Sequence, residues 1–279
     1  MTMLRNTNDM KGYAIHATDG DIGRVVDCFF DDEVWTVRYL VVDTGGWLLS
    51  RKVLISPISM LQPDWSGKSI PVSITKEQVR NSPDIDTDMP VSRQHESRYL
   101  GFYGYPSYWG GTGPWAGGAY PGMMMPGYGG LETPPVTLSQ QAEIDLAQAE
   151  EQRSHRHDDI HLRSCDEVKD YHIHAIDGEI GHVEGFLLDE ETWAIRYIVI
   201  NTSNWWLGHQ VLLAPAWIDE IRWLDRTVLV KLTREQIREA APYDMTVELS
   251  REHEVAIYKH YGYEGYWMPE VVEQSSITL

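Results

Sequence analysis

Tyr13-Ala-Ile-His-Ala-Thr-Asp-Gly-Asp-Ile-Gly23 returns later in the chain as Tyr171-His-Ile-His-Ala-Ile-Asp-Gly-Glu-Ile-Gly181. The match continues outward at a fixed offset of 158 positions. Trp35-Thr-Val-Arg-Tyr-Leu-Val-Val-Asp-Thr44 becomes Trp193-Ala-Ile-Arg-Tyr-Ile-Val-Ile-Asn-Thr202, Pro57 becomes Pro215, and Trp109 becomes Trp267. Over about 98 aligned positions about 37 are identical, which is too many for chance convergence of short patterns and marks an internal repeat. Two copies of one small module are therefore expected.

Within one copy the pattern reads as strands. Tyr13 to Thr18 alternates, Asp19-Gly20 is a two-residue turn signal, and Ile22 to Asp31 reads as the returning strand. Asp31-Asp32-Glu33 makes a polar turn. Trp35 to Thr44 is apolar on both faces, as in a strand buried on both sides. A loop at Gly45-Gly46 leads to a strand pair or bent strand from Trp47 to Ser56, stopped by Pro57, and Ser69 to Ile74 reads as the last strand. Thr75-Lys-Glu-Gln78 and Thr233-Arg-Glu-Gln236 carry the capping-box spacing of short helices. Ser92-Arg-Gln-His-Glu96 and Ser250-Arg-Glu-His-Glu254 open a second helical stretch in each copy. The expected fold is all-β with small helical additions, as two tandem small antiparallel barrels, because closure removes exposed sheet edges.

The composition narrows the function classes. A formal net charge of −19 opposes nucleic acid and anionic membrane surfaces as partners. No apolar run reaches the ~20 residues of a spanning helix, and Met1 to Met10 has no apolar signal core, so membrane insertion is not expected. Cys28 and Cys165 are the two cysteines, at non-equivalent positions, too few for a disulfide framework or a thiolate zinc site. A reducing, cytoplasmic setting is the simplest reading. Eleven Trp and 15 Tyr against four Phe favour surfaces that are half buried in a partner or another domain.

Residues 1–109 and 170–279 are read as the modules, and 110–169 as the connector. Gly110 to Gly130 is rich in Gly, Pro, Tyr, Trp and Met and carries no charge. Its Trp115, Tyr120 and Met123 to Met125 are costly to leave in water, so it either lies against the modules or a neighbouring chain, or serves as a tether. A short helix is expected at about 137–152, with Ser139 as its N-cap.

The order of these features resembles the PRC-barrel family, which includes the cytoplasmic domain of the photosynthetic reaction-centre H subunit and the C-terminal domain of a ribosome maturation factor. The likeness rests on Asp19-Gly-Asp-Ile-Gly23, Trp35 to Asp43, Val53-Leu-Ile-Ser-Pro57 and their second-copy partners. The Tyr-Gly-Tyr-x-x-Tyr-Trp endings at Tyr103 to Trp109 and Tyr261 to Trp267 look like those of soluble tandem bacterial members. The resemblance implies a small barrel used for protein contacts and does not imply a reaction. No counterpart of the H subunit's membrane helix or of the maturation factor's N-terminal domain is expected from these residues.

The candidate interface is therefore Tyr103, Tyr105, Tyr108, Trp109 and Trp115, with Tyr261, Tyr263, Tyr266 and Trp267. These rings either close the barrel ends and join the modules, or meet another molecule, including a second copy of the chain. His155, His157 and His161, with Asp158 and Asp159, form a weak metal candidate, since the spacing fits neither an i, i+4 helical pair with a third ligand nor a known zinc finger, and a solvated linker face is the alternative. The paired His16/His174 and His95/His253 lack an accompanying nucleophile, and Glu96 and Glu254 suit structural hydrogen bonds. Arg38 and Arg196 are expected to be partly buried and paired with Asp31 and Asp189. No cofactor and no catalytic residue is expected. The leading reading is a non-enzymatic protein-interaction or scaffold module, possible also as a homo-oligomer. A small-ligand or metal-responsive sensor using a cleft between modules is the first alternative, and a ribosome-assembly adaptor, opposed by the acidic charge, is the second.

Overall fold

The computed structural model describes residues 3–83, 91–106, 108, 115, 160–202 and 209–268. Most of 110–130, the helix expected at 137–152, and Trp109, His155 and His157 lie outside the described residues. His161 contributes only its backbone. The chain divides into two compact units, Met1–Asp170 with Glu184–Ile198, and Tyr171–Val183 with Val199–Leu279. The fold is mostly β, with two mixed sheets and a few short helices. No helix among the described residues is long and apolar enough to cross a membrane.

In the first unit, β2 (Ala14–Ala17) turns through Thr18-Asp19 into β3 (Gly20–Asp31), so the turn sits one residue earlier than the sequence suggests. Gly20 opens β3 at φ +135, a conformation costly for other residues. The Asp19 carboxylate, one of the two turn residues, accepts the backbone N–H of Lys76 at 2.7 Å. That N–H begins α1 (Lys76–Asn81), which is capped by Thr75 and Gln78 as the spacing predicts. β4 (Thr36–Asp43) is buried along both faces except at Asp43, and pairs with β3 and β5 (Lys52–Ile55). The sheet runs β5-β4-β3-β2-β6, with β6 at Ser69–Pro71. The expected all-antiparallel arrangement needs correcting here. β6 lies parallel to β2, Ile15 facing Ile70. The long connection through β3 to β5 lets the chain return in the same direction, which a tight hairpin forbids.

The first unit also contains two long-range pairings that are related to each other by the 158-position offset. β1 (Leu4–Asn6) runs antiparallel to the end of β10 (Gly178–Asp189), Leu4 facing Asp189 and Asn6 facing Leu187. β8 (Ile160–Ser164) runs antiparallel to the end of β3, Leu162 facing Asp31 and Ser164 facing Phe29, and also pairs with β7 (Val91–Ser92). Leu162 is the equivalent of Leu4 and Asp31 that of Asp189, so each copy's lead-in strand pairs with the other copy's β-hairpin. The ion pairs follow the same rule: Arg5 with Glu190, and Arg163 with Asp32 at 3.0 Å. Thr36 bridges to its own equivalent, Ala194. Val37 N donates to Trp193 O at 2.8 Å and Ile195 N to Trp35 O at 2.7 Å. Trp35 and Trp193 reach these contacts at φ 51 and 60, a left-handed conformation rare for a bulky residue.

The second unit repeats the local plan. β9 (His172–Ala175) pairs with the start of β10, and lies parallel to β14 (Thr227–Val230), Ile173 facing Val228. The sheet order is β12-β11-β10-β9-β14-β13, with β11 at Ile195–Asn201, β12 at Gln210–Leu213 and β13 at Ile218–Arg222. Asp177 accepts the N–H of Arg234 at 2.7 Å, at the start of a helix (Arg234–Arg238) capped by Thr233 and Gln236.

Asp27, under the exchanged β8, gives a first pH prediction. Its carboxylate accepts the Ser164 hydroxyl and the backbone N–H groups of Cys28 (2.7 Å) and Asp166 (3.2 Å). Burial nevertheless raises its pKa from 3.8 to about 6, with the Asp166 charge adding to the rise. The folded state therefore holds this proton more tightly than the unfolded chain. The associated stability is complete below about pH 4 and is lost as pH rises through about 6, roughly 3 kcal/mol in all. Asp27→Asn is expected to be about 1–3 kcal/mol more stable than wild type at pH 7, with the gap closing by pH 4. Urea unfolding at several pH values checks this, and a gap independent of pH would refute it.

Candidate interaction site: the two aromatic tails

The first tail is built on α2 (Arg93–Tyr103), which sets Glu96 against β4. Glu96 is fully buried (0 % exposed) and accepts the Tyr39 hydroxyl at 2.9 Å and the Tyr108 hydroxyl on the same oxygen. Burial, reinforced by the Glu96 carboxylate, holds both phenols well above their usual pKa. Next to them Arg38 donates to Asp31 at 3.1 Å, the pairing the sequence predicts. Asp31 also accepts the N–H groups of Glu33 and Val34, so one carboxylate closes the turn and neutralises the arginine. The Arg38 guanidinium lies 3.6 Å from the Tyr108 ring centre and 4.8 Å from that of Trp115, a desolvated cation–π arrangement. Trp115, from the uncharged connector, is buried and donates its indole N–H to Thr192 O at 2.8 Å. Tyr99 packs edge-on against Tyr39, and Tyr103 stacks on Tyr105 at 5.3 Å. Burial pushes the Tyr103 and Tyr105 hydroxyls up to about 12.

The second tail uses the same residues with a different seal. The helix Arg251–Tyr261, capped by Ser250 and ended by Gly262 at φ 77, places Glu254 to accept the Tyr266 hydroxyl at 2.8 Å. Arg251 pairs with Glu254 at 2.8 Å and lies 4.4 Å from the Trp267 ring centre. Where the first copy has Ser59, the second has Trp217, which is buried and contacts Tyr258, Tyr261 and Tyr263. The indole fills the interior and leaves Tyr263 stacked on its outer side at 5.3 Å, 38 % exposed. Tyr266 and Trp267 are half-buried, and Met268 and Val255 are exposed. Tyr261 is buried, which holds its hydroxyl well above the usual range.

Of the nine sequence-predicted rings, the structure buries Tyr108, Trp115 and Tyr261, half-buries Tyr103, Tyr105, Tyr266 and Trp267, and exposes Tyr263. Trp109 lies outside the described residues. Sequence reasoning missed Trp217, whose signal was the replacement of Ser59 at an otherwise repeated position. It also left Tyr39 and Glu96 unconnected, although both recur as Tyr197 and Glu254. Among the described residues no three metal-ligating side chains cluster. An open groove of about 600 Å³ is lined by Lys11, Gly12, Gly23, Arg24, Asp43 and neighbours, and none of the tail rings lines it.

No protein-family profile matches the chain. A protein of Deinococcus radiodurans, described as an uncharacterized protein, is 35 % identical over 95 residues, which cover 32 % of this chain and 34 % of that relative. The matched region thus spans about a third of the relative's length.

Proposed function

We propose that the chain is a duplicated, two-module PRC-barrel protein of the cytoplasm that acts by binding protein rather than by catalysis, and that its second aromatic tail docks a second copy of the chain. The observation that carries the reading is the unequal sealing of two tails that share the ending Tyr-Gly-Tyr-x-x-Tyr-Trp. Trp115 and the Arg38–Asp31 pair bury Tyr108 of the first, where Tyr103 and Tyr105 stay half-buried and Phe102 is exposed, whereas the equivalent Tyr266 is half-buried. The second leaves Tyr263, Trp267 and Met268 accessible on a tail already braced by Trp217 and Arg251. Rings held rigidly but left part-exposed lose little entropy on binding, which is why Tyr and Trp anchor protein interfaces. The duplication is supported by the repeated sequence and by the reciprocal pairings at the 158-residue offset. The stretch shared with the Deinococcus relative, 95 residues, is close to the length of one copy.

Light scattering on wild type and on Tyr263→Ala/Trp267→Ala tests this. Wild type is expected to reach at least a dimer as concentration rises, and more readily with added salt, because screening relieves repulsion between chains of net charge −19. The double variant is expected to shift the midpoint at least tenfold toward higher concentration, the loss of about 1.4 kcal/mol or more that interface rings contribute. A wild type that stays monomeric at every salt concentration, or a variant that associates equally, would overturn the proposal.

A further inference from the structure

The exchanged strand β8 brings together two residues that look unrelated in the sequence. In the β3–β8 pairing Phe30 faces Arg163 and Phe29 faces Ser164, so the next step along the pair sets Cys28 opposite Cys165. Cys165 begins the short helix α3 (Cys165–Val168), directly after the strand. The position is pinned by Asp27, whose carboxylate holds the Ser164 hydroxyl and the Asp166 N–H, one residue to either side of Cys165. Opposed residues of an antiparallel pair have Cα atoms about 4.5–5.5 Å apart, inside the 4.4–6.8 Å that a disulfide spans. Both cysteines are free and buried, at 2 % and 6 % exposure. The Cys165 thiol is hydrogen-bonded to the Cys28 side chain, and burial raises its pKa well above the usual value.

We infer that Cys28 and Cys165 form an oxidation site that closes to an intramolecular disulfide and locks β8 onto β3. With hydrogen peroxide as oxidant, the sulfur of one cysteine attacks a peroxide oxygen. The O–O bond breaks, one water leaves, and a sulfenic acid remains. The second thiol attacks that sulfur, the S–S bond forms, the S–O bond breaks, and a second water leaves. Two thiols have then lost two electrons and two protons to one peroxide. Burial of both sulfurs, with the raised pKa of the Cys165 thiol, makes the first step slow compared with an exposed, acidic cysteine, so the bond forms under sustained oxidation. The site exists in one copy only. At the equivalent positions of the other exchange stand Phe186 and Thr7. The bond would close a loop of chain that includes α2 and the connector, and so would fix only the lead-in of the second copy.

The test treats the full chain with hydrogen peroxide, unfolds it, blocks remaining thiols by alkylation, and maps the peptides by mass spectrometry. Both thiols are expected to disappear together, with a linked Cys28–Cys165 peptide two hydrogens lighter than its reduced parts. The thermal midpoint is expected to rise by roughly 5–10 °C and to return on addition of dithiothreitol, since cross-linking a long loop restricts the unfolded chain. Cys28→Ala and Cys165→Ala should show neither the link nor the shift. Two cysteines still open to alkylation, bonds between chains, or separate sulfinic acids would each overturn the inference.

Discussion

Arg38→Ala is expected to destabilise the chain by about 3–5 kcal/mol, whereas Arg196→Ala, the same change 158 residues later, costs about 1–2 kcal/mol. Each arginine pairs with the aspartate of its own β-hairpin turn, Asp31 or Asp189, at nearly the same distance (3.1 and 3.0 Å). What differs is access to water. The Arg38 side chain is 2 % exposed beneath Tyr108 and Trp115, whereas that of Arg196 is 22 % exposed. Removing Arg38 strands a buried carboxylate and empties the space between two rings. Removing Arg196 leaves a carboxylate that is as buried as Asp31 and held by two turn amides in the same way, but the arginine lost was already part-exposed, so less packing and less desolvated charge go with it. Urea unfolding of the two variants measures the difference. Equal losses would contradict the role given to Trp115 as the seal of the first tail.

Gly23→Ala is expected to cost about 3 kcal/mol or more, and Gly181→Ala a comparable amount, because both glycines lie hard against backbone rather than against movable side chains. A β-carbon at Gly23 would fall 2.0 Å from the Asp43 carbonyl oxygen, and at Gly181 2.1 Å from that of Asn201. Asp43 ends β4, which is paired on both edges by β3 and β5 and cannot shift without breaking either ladder. Gly181 adds a φ of +156. By contrast Gly12 and Gly46 have open space around the missing β-carbon, so Gly46→Ala serves as the tolerated control. Thermal unfolding of the three variants checks the ranking, and a Gly23→Ala protein as stable as Gly46→Ala would refute the close approach.

The local features were legible because their causes are local. Asp31 and Arg38 are seven residues apart on one hairpin, so the sequence alone could place them together. The Thr75–Gln78 and Thr233–Gln236 caps depend on a three-residue spacing. The Asp-Gly turn was legible to within one residue. What escaped was set by distance along the chain. β6 runs parallel to β2 and β14 parallel to β9 because long connections permit it, and no short pattern distinguishes that from a hairpin return. Ile160–Ser164 reads as connector because its strand character comes from β3, more than a hundred residues earlier. The adjacency of Cys28 and Cys165 follows from that pairing and has no signature of its own. For the tails, the shared Tyr and Trp positions were plain. Their unequal sealing turned on two single differences, Trp115 arriving from the connector and Trp217 standing in place of Ser59.

The most direct test of self-association through the second tail is hydrogen exchange by mass spectrometry on the full chain at low and high protein concentration. Exchange in 251–268 is predicted to slow as concentration rises, while exchange in 93–106 stays unchanged because the proposed docking surface lies on the second tail. Concentration-independent exchange in 251–268, or protection that appears in the first tail instead, would contradict the account.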